Sequence, residues 1–297
     1  DDIEDNGTER RHRPALWTVW GKAQAINTGD ALFTLSRMAL YRLKDEGFDD
    51  ARILRLMQLY DETCMDLCEG QFMDIWTSEH DEWMSVDYYF DMIGRKTAAL
   101  IAGSAEAGAV LATDDETVIA AYRQFGWALG LAFQLNDDLL GIWGDEAATG
   151  KATSDIATRK KTLPLIYALA EATGADRERL QAILAQSADE PSAAEITEVL
   201  AILERVGAKE YTRTRAREYR DEALAQLAQQ LEHHGLEVAT AEGLEQILGV
   251  EQARDAGHRV GGQVQVAVQR LQAFGCTYID TVDWVVFPGH PSCPHRP

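Results

Sequence analysis

The sequence predicts an all-α protein, a bundle of stacked helices. Proline is scarce: Pro14, Pro164 and Pro191 are the only prolines before Pro288. An interior proline costs a helix about 3 kcal/mol, so long proline-free stretches favour helices. Apolar residues recur at helical spacing, as in Leu32, Leu35, Ala39 and Leu43 with Phe33 and Leu40 beside them. Strand-like alternation is nearly absent before residue 260.

Taken in order, Asp30 reads as a cap for the helix carrying Leu32 to Leu43. Thr113 to Glu116 and Ser192 to Glu195 each read as a capping box that opens another. Residues 1 to about 233 therefore read as helices of about 12 to 25 residues. Turns are expected near Lys44 to Phe48, Gly144 to Ser154 and Asp189 to Pro191. After about residue 235 the character changes. Gly262 to Val268 alternates, and Trp284 to Pro297 is a proline- and histidine-containing coil. The expected organisation is one domain over 1–235 and an irregular tail over 236–297.

The chain has 297 residues, 49 acidic and 28 basic, for a net charge of −21, and 46% are hydrophobic. That apolar content excludes a disordered chain, and roughly 300 residues can bury about three quarters of their unfolded surface. So negative a protein repels a phosphate backbone, which argues against nucleic acid as a partner. The longest uncharged stretch, Gln124 to Asn136, is too short to span a bilayer. Four cysteines form no Cys-x-x-Cys pair, so reduced thiols and a cytoplasmic location are expected. No signal peptide is visible, and the chain opens without methionine, so a piece of a longer chain is expected.

Chemistry begins at the first residue. Asp1, Asp2 and Asp5 stand at i, i+1 and i+4, which on a helix places Asp1 and Asp5 on one face with Asp2 beside them. Crowded carboxylates call for hard divalent cations; Mg2+ takes one or two carboxylates and fills its other positions with water and phosphate oxygens. A solvated acidic helix start is the plainer reading of these residues alone. A second cluster, Asp137 and Asp138, interrupts an otherwise apolar helix from Phe125 to Trp143, where carboxylates without a counter-ion are costly. Two such clusters about 136 residues apart could face one another across a bundle and hold metal ions around a diphosphate. Cations for that anion stand at Arg10 and Arg11, at Lys96 inside an apolar helix, and at Lys151 after Gly150. Arginine grips phosphate bidentately, and lysine supplies a movable point charge.

These motifs together resemble the trans-isoprenyl diphosphate synthases of the polyprenyl synthetase family. Asp1-Asp2-Ile3-Glu4-Asp5 is similar to the family's first aspartate-rich motif, and Arg10-Arg11 to its paired arginines. Ala25 to Leu32, Glu69-Gly70-Gln71, Lys96-Thr97, Phe133-Gln134, Asp137-Asp138 and Thr149-Gly150-Lys151 follow in family order, over residues 1 to about 230. The resemblance implies an isoprenoid synthase-type helical bundle around a central diphosphate pocket, and a homodimer. It implies condensation of an allylic diphosphate with isopentenyl diphosphate to a longer trans-polyprenyl diphosphate, with release of pyrophosphate. Asp1, Asp2, Asp5, Asp137 and Asp138 would bind Mg2+, three ions with substrate bound, or Mn2+. Arg10, Lys96 and Lys151 would hold the allylic diphosphate, and Arg11 the homoallylic one. Thr97 and Gln134 would lie beside the reacting carbons, where oxygen dipoles stabilise positive charge, and Phe133 would wall the pocket.

Two departures stand out. The family's usual third aspartate of the second motif is Gly141 here, so one expected ligand is missing. Asp137, Gly141 and Asp145 stand at i, i+4 and i+8, the spacing of the second metal motif in class I terpene cyclases, which makes a cyclase one alternative function. The helices that precede the first motif in the family are absent from the chain, and with them the residues that set product length. A non-catalytic partner subunit is the other alternative.

Overall fold

The computed structural model describes residues 2–4, 6–10, 13–80, 83–144, 154–185 and 190–233. They fall into two compact units, the first running to Ile53 and the second beginning at Leu54.

In the first unit a turn precedes a two-residue antiparallel ribbon, β1 (Glu9–Arg10) against β2 (Arg13–Pro14), with Glu9 opposite Pro14. The helical face expected for the first aspartate motif is not formed by Asp2–Glu4. Gly7 N–H donates back to the Asp2 carbonyl at 2.8 Å, and Asn6 adopts a φ of +52°. A left-handed residue closes a turn and cannot continue a right-handed helix. Two helices follow, α1 (Leu16–Trp20) and α2 (Lys22–Tyr41), separated at Gly21 with φ +83°. Asp30 therefore lies inside α2, its carbonyl accepting the Thr34 hydroxyl, and caps nothing. The sharp break that glycine permits at residue 21 was the stronger signal. A 3₁₀ turn at Arg42–Lys44 and Gly47 at φ +90° form the expected turn before α3 (Asp50–Glu79).

In the second unit α4 (Val86–Ile93) passes through a π-helical turn, Gly94–Ala98, into α5 (Ala99–Ala112). Then come α6 (Glu116–Trp143), α7 (Ser154–Ala157), α8 (Leu163–Glu171), α9 (Gly174–Leu184), α10 (Ala193–Arg205) and α11 (Ala208–His233). At 30 and 28 residues, α3 and α6 are longer than the periodicity suggested. The capping box at Ser192 and Glu195 is present in full. At α6 the cap is Asp115, which accepts Thr117 N–H, while the Thr113 hydroxyl accepts Asp115 N–H one step upstream. No described helix is long and apolar enough to cross a membrane.

The unit is built around α6, which packs on both α5 and α11. Leu131 and Leu135 of α6 join Tyr89, Met92, Ile93, Leu163 and Ile166 in one buried cluster, and Ile142 heads a second with Ile156, Leu165, Leu180 and Ile202. The approach of α6 to α5 is close because α6 carries glycine where they touch. A Cβ at Gly126 would lie 2.7 Å from Ala102 Cα, and one at Gly130 would lie 2.4 Å from Ala98 Cα. At its far end α3 is capped from outside: Lys161 Nζ donates to the carbonyls of Thr77 and His80.

Gly130→Ala should destabilise the fold by about 1–3 kcal/mol, because backbone would have to move to admit one methyl. Gly108→Ala in α5 meets nothing within 4 Å, so it should stabilise by up to about 1 kcal/mol through helix propensity. Urea unfolding of both variants checks the pair, and equal signs would refute the packing account.

Candidate active site

Lys96 and Thr97 both sit in the π turn Gly94–Ala98. Wider turns of this kind cost hydrogen-bond geometry and concentrate at functional sites. This one is pressed from two sides. A Cβ at Gly70 of α3 would lie 2.3 Å from Lys96 N, and Ala98 sits against Gly130 of α6. The Thr97 hydroxyl donates to Gln134 Oε1 at 2.9 Å, and Lys96 Nζ pairs with Asp74 Oδ2 at 2.5 Å. Next to them Arg95 is held by Glu69, Asp66 and Asp91. Its hydrogen bond to Asp91 leads the interactions that raise its pKa.

One turn further along α6, the two aspartates part company. Neighbouring helical residues point about 100° apart. The Asp137 side chain is 55% exposed, with Lys160 Nζ at 3.6 Å and Gln134 Nε2 at 3.5 Å. Asp138 is 1% exposed. It accepts the Tyr89 hydroxyl, the Leu163 N–H at 2.8 Å and Gln134 Nε2 at 3.3 Å. Burial pushes its pKa up to about 6, against the pull of those donors. Tyr89 is raised well above its ordinary value, by burial first and then by the Asp138 charge. Burial also works against the Lys160 ammonium, but Asp155, Asp137, Asp138 and Asp74 together outweigh it and raise its pKa.

Gly141 is where the missing third aspartate would stand, and the space is taken. A Cβ there would lie 2.0 Å from Asp155 Oδ2, a carboxylate that begins on α7 and is 8% exposed. A carboxylate thus occupies the place from which an aspartate at 141 would project, one turn after Asp137.

The structure brings together Lys96, Thr97, Gln134, Asp137 and Asp138. Phe133 lies on the same helix and is 59% exposed. Asp2 and Arg10 meet in the first unit, Arg10 Nε donating to Asp2 Oδ1 at 2.7 Å. Asp1, Asp5, Arg11, Lys151, Asp145 and the 236–297 tail lie outside the described residues. Sequence reasoning missed Asp74, Tyr89, Asp155 and Lys160. A signal existed for two of them: Asp74 follows Gln71 within one turn of α3, and Lys160 follows Asp155 soon after the Gly150-Lys151 motif in sequence.

The donors at hand are hard oxygens and suit Mg2+ or Mn2+. Among the described residues no group of three or more His, Cys, Asp or Glu side chains could hold a metal alone. Mg2+ takes one or two carboxylates and completes its shell with water and phosphate oxygens, and Asp137 is an exposed carboxylate of that kind.

Gly141→Asp should lower the melting temperature more than Gly141→Ala, because it adds a like charge to a buried clash. Replacing Asp155 with glycine in the same chain should recover part of the loss. Thermal unfolding of the three variants decides this; an unshifted Gly141→Asp would show that Asp155 moves freely.

The polyprenyl synthetase family model matches residues 1–203. The geranylgeranyl diphosphate synthase of Mycobacterium tuberculosis is 45% identical over 170 residues, which is 57% of this chain and 47% of that protein. A short chain isoprenyl diphosphate synthase of Methanothermobacter thermautotrophicus is 40% identical over 212 residues, 71% of this chain and 62% of its own length. The chain thus spans about half to three fifths of these curated relatives. Among solved structures, a geranylgeranyl pyrophosphate synthase from Corynebacterium glutamicum, complexed with isoprenyl diphosphate and magnesium, aligns with a TM-score of 0.67 at 26% identity, over 84% of this chain and 72% of that one. On the match of the family model, the order of its motifs and the helices that carry them, the chain belongs to the polyprenyl synthetase family.

Proposed function

We propose that the protein is a Mg2+-dependent prenyltransferase that joins an allylic diphosphate to isopentenyl diphosphate and releases pyrophosphate. The observation that carries this reading is the Thr97–Gln134 hydrogen bond, which holds two oxygen dipoles between Lys96 on the π turn and Asp137 on α6. The named relatives and the magnesium and isoprenyl diphosphate in the Corynebacterium structure support it.

In this reading Lys96 and Lys160 exchange their partners Asp74 and Asp137 for phosphate oxygens of the allylic substrate. Mg2+, when bound, would supply charge neutralisation for the departing pyrophosphate, and Asp137, an exposed carboxylate of α6, would help to hold it. The C–O bond breaks, leaving a positive charge spread over the allylic carbons. The Thr97 and Gln134 oxygens, bonded to each other, would face that charge and stabilise it as dipoles. The double bond of isopentenyl diphosphate forms the new C–C bond, and a proton then leaves the adjacent carbon. Asp2 and Arg10 take the metal and diphosphate roles that the first motif implies, and the motif gives Asp1 and Asp5 the metal and Arg11 the homoallylic diphosphate. Lys151 joins the allylic diphosphate ligands. Three ions with substrate bound, and a cytoplasmic setting in which Cys64 and Cys68 stay thiols, complete the proposal. The cyclase alternative accepts glycine at 141 and rests on Asp137 and Asp145; against it stand Arg10-Arg11, Gln71, Phe133-Gln134 and Gly150-Lys151, which resemble prenyl elongation.

We also propose that the protein works as a homodimer. Leu54, Met65, Phe72 and Trp76 are 49–65% exposed and follow one stripe of α3, since spacings of eleven, seven and four each return near the same helical direction.

Lys96→Ala should cut the rate of product formation by about a hundredfold or more, and Asp137→Asn should raise the Mg2+ needed for half-maximal rate by about tenfold. Condensation of labelled isopentenyl diphosphate with an allylic partner measures both, and unchanged kinetics in either variant would remove that residue from the site. Phe72→Glu should convert a dimer to monomer in light scattering coupled to gel filtration. A wild-type mass equal to one chain would dismiss the dimer.

A further inference from the structure

We propose that Asp138 is a positioning residue, which fixes the direction of the Gln134 amide, and not a metal ligand beside Asp137. The inference rests on the prenyl-transfer reading for the meaning of Gln134, but its structural half stands apart from that reading.

The carboxylate has no free face for an ion. It is 1% exposed, and its two oxygens are shared among Tyr89 of α4, the Leu163 N–H at the start of α8, and Gln134 of α6. A Mg2+ ion bonds at about 2.0–2.1 Å and keeps several waters, which a buried, thrice-engaged carboxylate cannot admit. Asp137, the next residue, is exposed and lies farther from the amide, with Gln134 Nε2 at 3.5 Å and Lys160 Nζ at 3.6 Å. Of the adjacent acids, one serves the outside and the other the inside.

What the inner one controls is orientation. A carboxylate only accepts, so it draws the NH2 end of Gln134 toward itself. The carbonyl end is then turned to the Thr97 hydroxyl, 2.9 Å away. With the amide reversed, Gln134 Oε1 would face Asp138 and the amide nitrogen would face the reacting carbons, so a dipole that favours positive charge there would oppose it. Tyr89 and the Leu163 N–H hold the carboxylate in place from the opposite side, so four elements converge on the direction of one amide. The chain runs from Leu163 and Tyr89 through Asp138 and Gln134 to Thr97 beside Lys96. A residue acting this way should change turnover more than binding.

The test compares Asp138→Asn, Tyr89→Phe and Asp137→Asn in the full chain. Mn2+ binding in the presence of pyrophosphate, followed by electron paramagnetic resonance, should stay within about twofold of wild type for Asp138→Asn and Tyr89→Phe. It should weaken about tenfold or more for Asp137→Asn. With both substrates, kcat should fall about tenfold or more in Asp138→Asn and less in Tyr89→Phe, with KM for the allylic substrate nearly unchanged, since misaiming a catalytic group by about 1 Å costs up to a hundredfold. The side-chain NH2 resonances of Gln134, identified by their loss in Gln134→Met, should shift in Tyr89→Phe, a residue that does not touch Gln134 directly. Equal loss of Mn2+ affinity in Asp138→Asn and Asp137→Asn would make Asp138 a ligand and overturn the proposal. Unmoved Gln134 resonances and unchanged kcat in Tyr89→Phe would overturn it too, and that variant carries the test if Asp138→Asn does not fold. If wild type forms no elongated product, prenyl transfer falls, while the Mn2+ titration and the Gln134 resonances still decide where Asp138 acts.

Discussion

How near α6 comes to the π turn of Lys96 and Thr97 governs the rest of the second unit. A hydroxyl and a side-chain amide can bond across two helices only when the backbones are almost in contact, and here glycine makes that contact on both flanks. Gly130 admits Ala98 from one side and Gly70 admits the Lys96 backbone from the other. Without a close seat, a five-residue π turn would relax to an ordinary helical one, and Lys96 and Thr97 would rotate away from Gln134 and Asp74. Packing in this region therefore sets chemistry directly.

The same closeness shapes the electrostatics. The protein carries a charge of −21, yet the lysines at the site are each already partnered, Lys96 with Asp74 and Lys160 with Asp137. On the proposed function, each lysine would leave its aspartate for a phosphate oxygen, which frees Asp137 for a metal ion. Carboxylates crowd these lysines, with Asp155, Asp137, Asp138 and Asp74 all acting on Lys160, so on the proposed function an anion held there would need metal ions as well as lysines.

The sequence was most legible where chemistry depends on residue type and order. The all-α class, the box at Ser192, and the grouping of Lys96, Thr97, Gln134 and Asp137 could be read from spacing and motif. It was least legible where direction is decided by neighbours distant in the chain. Asp137 and Asp138 look equivalent as letters, and only the arrival of Tyr89 and Leu163 against α6 makes one of them interior. Asp74, Asp155 and Lys160 share the site through packing of α3 and of the segment from α7 to α8, which no periodicity announces. Asp2 was expected on a helix because five residues of acidic pattern fit that period, but Asn6 and Gly7 fold the segment into a turn. Asp30 had the chemistry of a cap but stood inside a helix whose start was set by Gly21.

The contact between Gly141 and Asp155 bears on how such a sequence can change over generations. Some glycine codons become aspartate codons by a single base substitution, so exchange at 141 is a short step. With Asp155 in that space, an aspartate at 141 would bring two carboxylates together. One must shift or change for the other to fit, so substitutions at 141 and 155 should depend on one another and not simply add.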